Sequence, residues 1–232
     1  MEVKNELLEQ MRQDFIQSYK SNKHIQHYLQ LARDGKSDYK TADRYAMEVG
    51  EIREHVILGY LPDLNPDEFE EIAQQVIFPQ LKDNFEYTAD FAVEVQTILN
   101  EKARIGLKAK KPEFDKDKAN GLIEKFSAAK TPEEAYSIIN QNITTFTKGI
   151  VSDAIYDNAQ LHYDVGFEPV IKRIAFSHCC KWCNEVAGVY KYSEVKNKGN
   201  DVYRYHANCR CHIIYDPQDG TRKVNTKTQR YI

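Results

Sequence analysis

Five cysteines, the only ones in the 232-residue chain, lie within one stretch of 33 residues. Cys180 and Cys183 form a C-x2-C pair, and His206, Cys209 and Cys211 form an H-x2-C-x-C group. Two intervening residues let a tight turn direct both sulfurs toward one point, and a second pair from a distant segment completes a tetrahedron, as in structural zinc sites. Thiolate and imidazole ligands suit zinc. The spacing therefore predicts a structural Zn²⁺ ion.

These five candidate ligands compete for four coordination positions. The preferred set is the four cysteines of the two groups, and the alternative set replaces one of the later cysteines with His206. Cys179 is predicted to be a spare thiol, because neighbouring side chains point to opposite sides of an extended chain. A redox C-x-x-C would need a βαβ setting that the sequence does not show, and simple buried thiols are the remaining alternative. Because four protein ligands leave no open coordination position, the site is predicted to be structural and not catalytic, and the protein is predicted not to be an enzyme.

The first two-thirds of the chain has the spacing of amphipathic helices. Leu7, Met11 and Phe15 fall four residues apart, on one helical face. Residues 65–68 and 131–134 each combine an N-cap residue, a proline at the first helical position and following carboxylates. The first helical region is predicted to reach a break at 34–37. Further helices are predicted over 39–58, from 65 onward with a kink or end at Pro79, over 83–105 and over 131–162. The segment 107–120 is predicted to be an exposed connection.

At Gly166 the hydrophobic period changes from helix to strand. Residues 168–176 alternate as a strand does, and so do the segments DVYRYH and RCHIIYD. The predicted fold is therefore mainly α, with a helical body followed by a small C-terminal β-containing zinc-binding module. The domains are predicted as a helical body at 1–166, a zinc-stapled module at 167–217 and a basic flexible tail at 218–232. A chelator is expected to loosen the module before the body.

The charge of the chain is divided unevenly along its length. Residues 168–232 carry 12 Lys/Arg and 6 Asp/Glu, whereas residues 1–167 carry 20 and 29, for a net charge of −3. The two parts are therefore expected to meet different partners. No run approaches the ~20 apolar residues of a membrane span, and the charged N-terminus lacks a signal-peptide core. We expect no membrane anchor and a reducing cytoplasm, where clustered cysteines favour metal over disulfides.

The cysteine region resembles a known family. C-K-W-C, then A-G-V-Y, D-V-Y-R-Y-H, N-C-R-C and an apolar run closing in Y-D-P resemble the C-terminal signature of bacteriophage minor head proteins. These proteins, also called minor capsid or head-morphogenesis proteins, are common in tailed phages and prophages of Gram-positive bacteria. The resemblance covers residues 168–217, and a helical body leading into a strand is similar to that family too. The doubled Cys179-Cys180 departs from the family's usual single cysteine.

The resemblance implies a structural virion protein, present in few copies near the portal in the phage head interior and in the host cytoplasm during assembly. It implies a role in head assembly, with portal and capsid or scaffold proteins as partners and no small-molecule substrate. Some family members are thought to associate with the packaged DNA and to enter the host with it at ejection, which makes the basic residues candidates for non-specific contact with double-stranded DNA. Those residues are Arg204, Arg210, Arg222, Lys223, Lys227 and Arg230.

Two other functions remain open on the sequence. A metal-dependent nuclease could use His206 and His212, which flank the cysteine pair, although the sequence lacks the His-His or Asp-His start of such units. A host DNA-binding or adaptor protein with a zinc ribbon is the second alternative. No G-x-S-x-G, G-x-x-x-x-G-K-[ST] or G-x-G-x-x-G pattern occurs, so hydrolase, phosphate-loop and dinucleotide-binding functions have no support.

Overall fold

The structure is a computed structural model that describes residues 2–218. Its helical part is a bundle in which the longest helices, α3, α5 and α8, contact one another. The helices are α1 (Glu2–Ser21), α2 (Lys23–Arg33), α3 (Tyr39–Tyr60), α4 (Phe69–Ile72), α5 (Phe78–Lys102), α6 (Lys116–Ala128), α7 (Pro132–Ile139), α8 (Asn142–Asp164), α9 (Lys181–Glu185) and α10 (Tyr192–Val195).

Three short strands follow the helical part and form one antiparallel sheet in the order β2-β1-β3. The strands are β1 (Val170–Ile174), β2 (Gly188–Lys191) and β3 (His212–Asp216). In the register, Arg173 of β1 pairs with Gly188 on one side and with Ile213 on the other. The predicted fold class, mainly α with a small C-terminal β-containing module, is confirmed.

Two apolar clusters hold these elements together. We call the cluster built from α1, α4, α6 and α7 the first core; Met11, Phe69 and Phe126 are central to it. We call the other the second core; it joins α2, α3, α5 and α8 to β1, β3 and α10. Ile171 and Ile213 of the sheet are fully buried in the second core. Apolar packing therefore runs without interruption across residue 166, and the proposed domain division stays a prediction.

The long helix expected over 131–162 is wrong in one respect, because the chain forms two helices there. Gln141 adopts a left-handed backbone conformation with φ of 66°, which a continuous helix does not contain. The break lets α7 pack against α6 in the first core while α8 crosses α3. A similar break separates α1 from α2 at Asn22, whose side chain accepts the amide hydrogens of His24 and Ile25 as an N-cap.

Three other local predictions need correction. Pro79 lies in the first turn of α5 and does not end a helix there. The distortion falls just before it, in the π-helical turn Ala73–Ile77. The wider turn relieves the clash that a proline ring has with the carbonyl four residues earlier in an α-helix. The segment 107–120 is an irregular connection only up to 115, where Asp115 caps α6. In DVYRYH, the residues Asp201–Tyr203 form a 3₁₀ turn rather than a strand.

Gly50 sets the distance between α3 and α8. A Cβ atom added there would lie 2.6 Å from the Cα of Thr144 and 3.2 Å from the Cβ of Thr147. Such a separation is shorter than real Cβ contacts, so only glycine allows the two backbones to approach this closely. The crossing places the next turn of α8, with Lys148, beside the end of the cysteine region.

Within residues 2–218, none of the helices has the length and apolar content that crossing a membrane requires.

Candidate metal centre

The C-x2-C half of the site lies at the beginning of α9. Cys180 is the N-cap residue of this short helix, and its Sγ accepts the backbone amide of Cys183 at 3.5 Å. The helical turn directs both side chains to one side, as the spacing predicted. Cys180 is exposed and Cys183 is buried, so this half extends from the surface to the interior.

The second half is a turn that leads into β3. The amide of Cys209 donates to the carbonyl of His206 at 3.0 Å, and Asn208 takes a left-handed conformation with φ of 61°. Asparagine tolerates this conformation better than most residues do. Cys211 immediately precedes β3, and both Cys209 and Cys211 are buried. The turn thus brings three potential ligands to the end of the sheet where α9 begins.

The two halves meet in two overlapping groups that share Cys183. Cys180, Cys183 and His206 form one group, and Cys183, Cys209 and Cys211 form the other; within each, the ligand atoms all lie within 4.8 Å of one another. Nε2 of His206 lies 3.1 Å from Sγ of Cys183 and 3.4 Å from Sγ of Cys180, and the sulfurs of Cys183 and Cys209 are 3.6 Å apart. These Cys and His groups can hold a metal ion.

Hydrogen bonds favour the thiolate form of Cys209. The Cys211 thiol and backbone amide donate to Sγ of Cys209, and together with the charge of Lys148 they lower the pKa of Cys209 despite its burial. Burial raises the pKa of Cys183. Because a metal ligand must be the thiolate, a bound cation would supply the charge that keeps the buried Cys183 sulfur ionised.

A buried arginine faces the sulfurs from β1. Nη2 of Arg173 lies 3.9 Å from Sγ of Cys183 and 3.8 Å from Sγ of Cys209, while Nη1 donates to the carbonyls of Val202 and Arg204 at 2.9 and 2.6 Å. Arg173 is 2% exposed. Sequence reasoning missed it, although the alternation of β1 placed Arg173 on the same face as the buried Ile171.

A second buried cation joins the site to the helical bundle. Nζ of Lys148 in α8 donates to the carbonyls of Cys209 and Cys211 at 2.8 and 3.2 Å, and it lies 3.4 Å from a carboxylate oxygen of Asp43 in α3. Asp43 also accepts from the Tyr205 hydroxyl at 2.8 Å and pairs with His212 at 2.6 Å. No sequence signal distinguished Lys148 or Asp43 from ordinary polar residues of a helix.

The electrostatics of Asp43 follow from these contacts. Burial alone would raise the pKa of this carboxyl group, but the charge of Lys148 and the hydrogen bonds from His212 and Tyr205 lower it overall. Asp43 is thus held as a carboxylate between α8 and the strand β3. The anion fixes the orientation of Lys148, and through Lys148 it fixes the two carbonyls that flank Arg210.

All five predicted metal ligands come together in these two groups, and which four of them would bind stays a prediction. Cys179 lies outside both groups and is half-buried against the cluster. His178 is exposed. His212 belongs to neither group and points instead toward Asp43.

Two of the predicted DNA-contacting residues can be placed. Arg204 is exposed and pairs with Asp201 at 3.1 Å, and Arg210 is exposed at the turn between Cys209 and Cys211. The other four, Arg222, Lys223, Lys227 and Arg230, lie outside the described residues, as does the predicted flexible tail beyond residue 218.

No protein-family model, curated protein or solved structure matches this chain. The metal centre is therefore interpreted from its own residues.

Proposed function

We propose that this chain is a structural component of a tailed-phage head, a minor head protein, whose C-terminal module is closed by a structural zinc ion. The observation that carries the proposal is the meeting of C-K-W-C and H-A-N-C-R-C in one cluster of potential ligands. These same two segments carry the resemblance to the minor head family. Their convergence gives the shared residue pattern a physical role.

Zinc is the ion that this set of ligands favours. Four thiols and one imidazole form a soft, nitrogen- and sulfur-rich set, whereas magnesium and calcium prefer oxygen ligands. The chain itself offers more ligands than a tetrahedral ion needs, so every position can be filled by protein. We accordingly assign the ion a structural role and propose that the chain is not an enzyme.

The C-terminal region also has a physical need for such an ion. Its sheet has only three strands of four or five residues each, and the connection from Ile174 to His212 contains β2, two short helices and a 3₁₀ turn. A small segment of this kind buries little apolar surface of its own, and a metal ion compensates by joining distant parts of the chain.

Metal content tests the zinc part of the proposal. We expect elemental analysis of the purified chain to find about one zinc ion per molecule, and Cys183→Ser or Cys209→Ser to lose most of it, because each removes a buried ligand candidate. Cys179→Ser is the matched control and should keep the wild-type content, since Cys179 lies outside both groups. If the two ligand variants keep full zinc and an unchanged melting temperature, the metal proposal fails.

Particle association tests the phage part. The uneven charge supports a division in which the acidic helical body meets portal, capsid or scaffold protein. Mass spectrometry of phage particles purified by density gradient should detect the chain in few copies per DNA-filled head. Finding it only in the soluble fraction of lysed host cells would overturn the virion assignment.

Association with packaged DNA is the third part of the proposal, and it rests on the basic charge of residues 168–232. Non-specific phosphate contacts release counterions, so the affinity of the full chain for duplex DNA should fall steeply between 50 and 200 mM salt. Binding that is insensitive to salt, or no binding, would remove DNA from the list of partners.

The nuclease alternative predicts a different outcome. Plasmid DNA incubated with the chain and Mg²⁺ or Mn²⁺ should remain intact if the protein is structural. Cleavage that disappears in His206→Ala would replace the structural assignment with a metal-dependent nuclease, because His206 is the histidine among the candidate metal ligands.

A further inference from the structure

Arg173 is an unusual buried residue, because its guanidinium group has no carboxylate partner within ion-pair distance among residues 2–218. Its Nε also lacks a hydrogen-bond partner in that part of the chain. A buried charge without a counter-charge is costly. The groups near Nη2 that can become anionic are the thiols of Cys183 and Cys209.

The surroundings of Arg173 hold its charge toward those sulfurs. Two backbone carbonyls fix Nη1, so rotation of the guanidinium group is restricted. The rings of Trp182 and Tyr205 lie with their centroids 5.2 and 5.4 Å from the guanidinium carbon. Trp182 belongs to the C-x2-C half of the site and Tyr205 to the segment before His206. Arg173 thus contacts both halves of the ligand set.

The charge of a bound metal unit complements that of Arg173. A divalent ion with four thiolates carries a formal charge of −2, and with three thiolates and one imidazole it carries −1. Either of the two predicted ligand sets therefore leaves excess negative charge in a largely buried site. One buried guanidinium group reduces this excess by one unit, and the excess negative charge in turn stabilises the guanidinium group.

We propose that Arg173 is a positioning residue that serves as the counter-cation of a metal–thiolate unit and thereby sets the affinity of the site for its ion. This inference rests on the proposed zinc site and adds a determinant outside the ligands. Residues that hydrogen-bond to metal ligands commonly change metal affinity by 10- to 100-fold when they are replaced. Arg173 acts on two thiolates at once, so its effect should lie in this range.

The test compares a neutral and a charged replacement in the full chain. Zinc affinity is measured by competition with a chromophoric chelator for wild type, Arg173→Gln and Arg173→Lys. We expect Arg173→Gln to weaken zinc binding by about 10- to 100-fold, because glutamine can still donate to a carbonyl but has no charge. Arg173→Lys keeps the charge and should stay within about tenfold of wild type. Lys191→Gln is the matched control, because Lys191 is an exposed cation in the neighbouring strand β2, and it should bind zinc as wild type does.

A pH profile separates the charge role from a merely structural one. Without the counter-cation, the thiols give up their protons less readily, so half-maximal zinc binding in Arg173→Gln should move to higher pH. Equal losses of affinity in both Arg173 variants, or no loss in either, would overturn the inference. If Arg173→Gln does not fold, Arg173→Lys decides, and a loss well beyond tenfold overturns it. Absence of zinc from wild-type protein would instead refute the proposed function.

Discussion

Lys148 shows how a single buried residue can join two parts of the chain. Its ammonium group contacts Asp43 of α3 and the carbonyls on either side of Arg210. A buried ion pair adds little stability relative to apolar packing, but an unpaired buried charge costs several kcal/mol. Any other docking of the cysteine turn would leave the two charges paired with each other but would remove the two carbonyls from Lys148 and Tyr205 and His212 from Asp43. The pair therefore selects one position for the metal centre against the bundle.

The buried side chain of His162 should make the stability of the protein depend on pH. It is fully buried in α8, its Nδ1 pairs with the hydroxyl of Tyr215, and its Nε2 has no partner among the described residues. Burial lowers the pKa of His162 from 6.5 to about 4. Between these values the unfolded chain binds a proton that the folded chain does not. The free energy of unfolding should therefore be greatest above pH 6.5 and fall toward pH 4, by up to about 1.4 kcal/mol per pH unit from this group.

The measurement is urea unfolding at a series of pH values in buffer with a chelator, so that metal release does not contribute. His162→Gln should show a smaller decrease of stability between pH 6.5 and 4 than wild type. His27→Gln, a replacement on the exposed side of α2, is the control and should keep the wild-type slope. Parallel curves for wild type and His162→Gln would contradict the assignment of this pH dependence to His162.

The sequence alone could name residues that the structure brings together only where the chemistry is local. The spacing of the cysteines and His206 is a property of two short segments, so the sequence alone could name the ligand candidates. Arg173, Lys148 and Asp43 depend on the packing of elements far apart in the chain, and an isolated charged residue usually indicates solvent exposure. Their burial could not be predicted without the fold.

At the scale of elements, the crossing of α3 and α8 depends on Gly50. Gly50→Ala would place a methyl group 2.6 Å from the Cα of Thr144. Backbone atoms cannot move aside as a flexible side chain can, so the two helices would separate. We expect a decrease of about 1–3 kcal/mol in the free energy of unfolding, as is typical of overpacking, measured by urea or thermal denaturation.

Gly59→Ala is the matched control, because Gly59 lies in the same helix with nothing within 4 Å of an added Cβ atom. Alanine favours helix over glycine by up to about 1 kcal/mol, so this variant should be as stable as wild type or more so. If Gly50→Ala were equally well tolerated, the close crossing would not be a constraint on the fold.

Element prediction was accurate where capping signals coincide with an apolar period. The N-caps at Asp38, Asn65 and Thr131 all begin helical turns, as the sequence indicated for two of them. The breaks at Asn22 and Gln141 were missed because the apolar spacing continues across both positions. The buried residues that flank each break face the same core, Phe15 and Ile25 the second and Ile139 and Ile143 the first. The breaks are therefore local events of the backbone, the N-cap of Asn22 and the left-handed Gln141, which periodicity does not record.

At the scale of the whole molecule, the two cores predict unequal responses to metal removal. The cysteine cluster touches the second core through β1 and β3, whereas α1, α6 and α7 pack mainly in the first core. With a chelator, amide hydrogen exchange should rise first in residues 177–187 and 204–211, and next in β1 and β3. Exchange in α6 and α7 should remain unchanged, because removing the ion takes away only the stability that its binding gives to the segments folded around it.

Hydrogen exchange followed by mass spectrometry, with and without added zinc, measures this order directly. A uniform rise over the whole chain would mean that the fold has a single cooperative unit. No change in any segment would mean that the ion contributes nothing to stability. Wild-type protein without chelator is the reference. The Cys179→Ser variant should show wild-type exchange both with and without chelator, because Cys179 lies outside both ligand groups.

The burial of the sheet in the second core also has a consequence for how the protein is made. Asp43 binds Tyr205 and His212, residues 162 and 169 positions later in the chain. A ribosome adds roughly 5–20 residues per second, so α3 waits roughly ten to thirty seconds before the strand that covers it has been synthesised. During that interval Tyr39 lacks its ring contact with Tyr215, and the carboxylate of Asp43 lacks Tyr205 and His212. The contacts that seat the cysteine turn on α3 therefore form only after nearly all of the described chain has been synthesised.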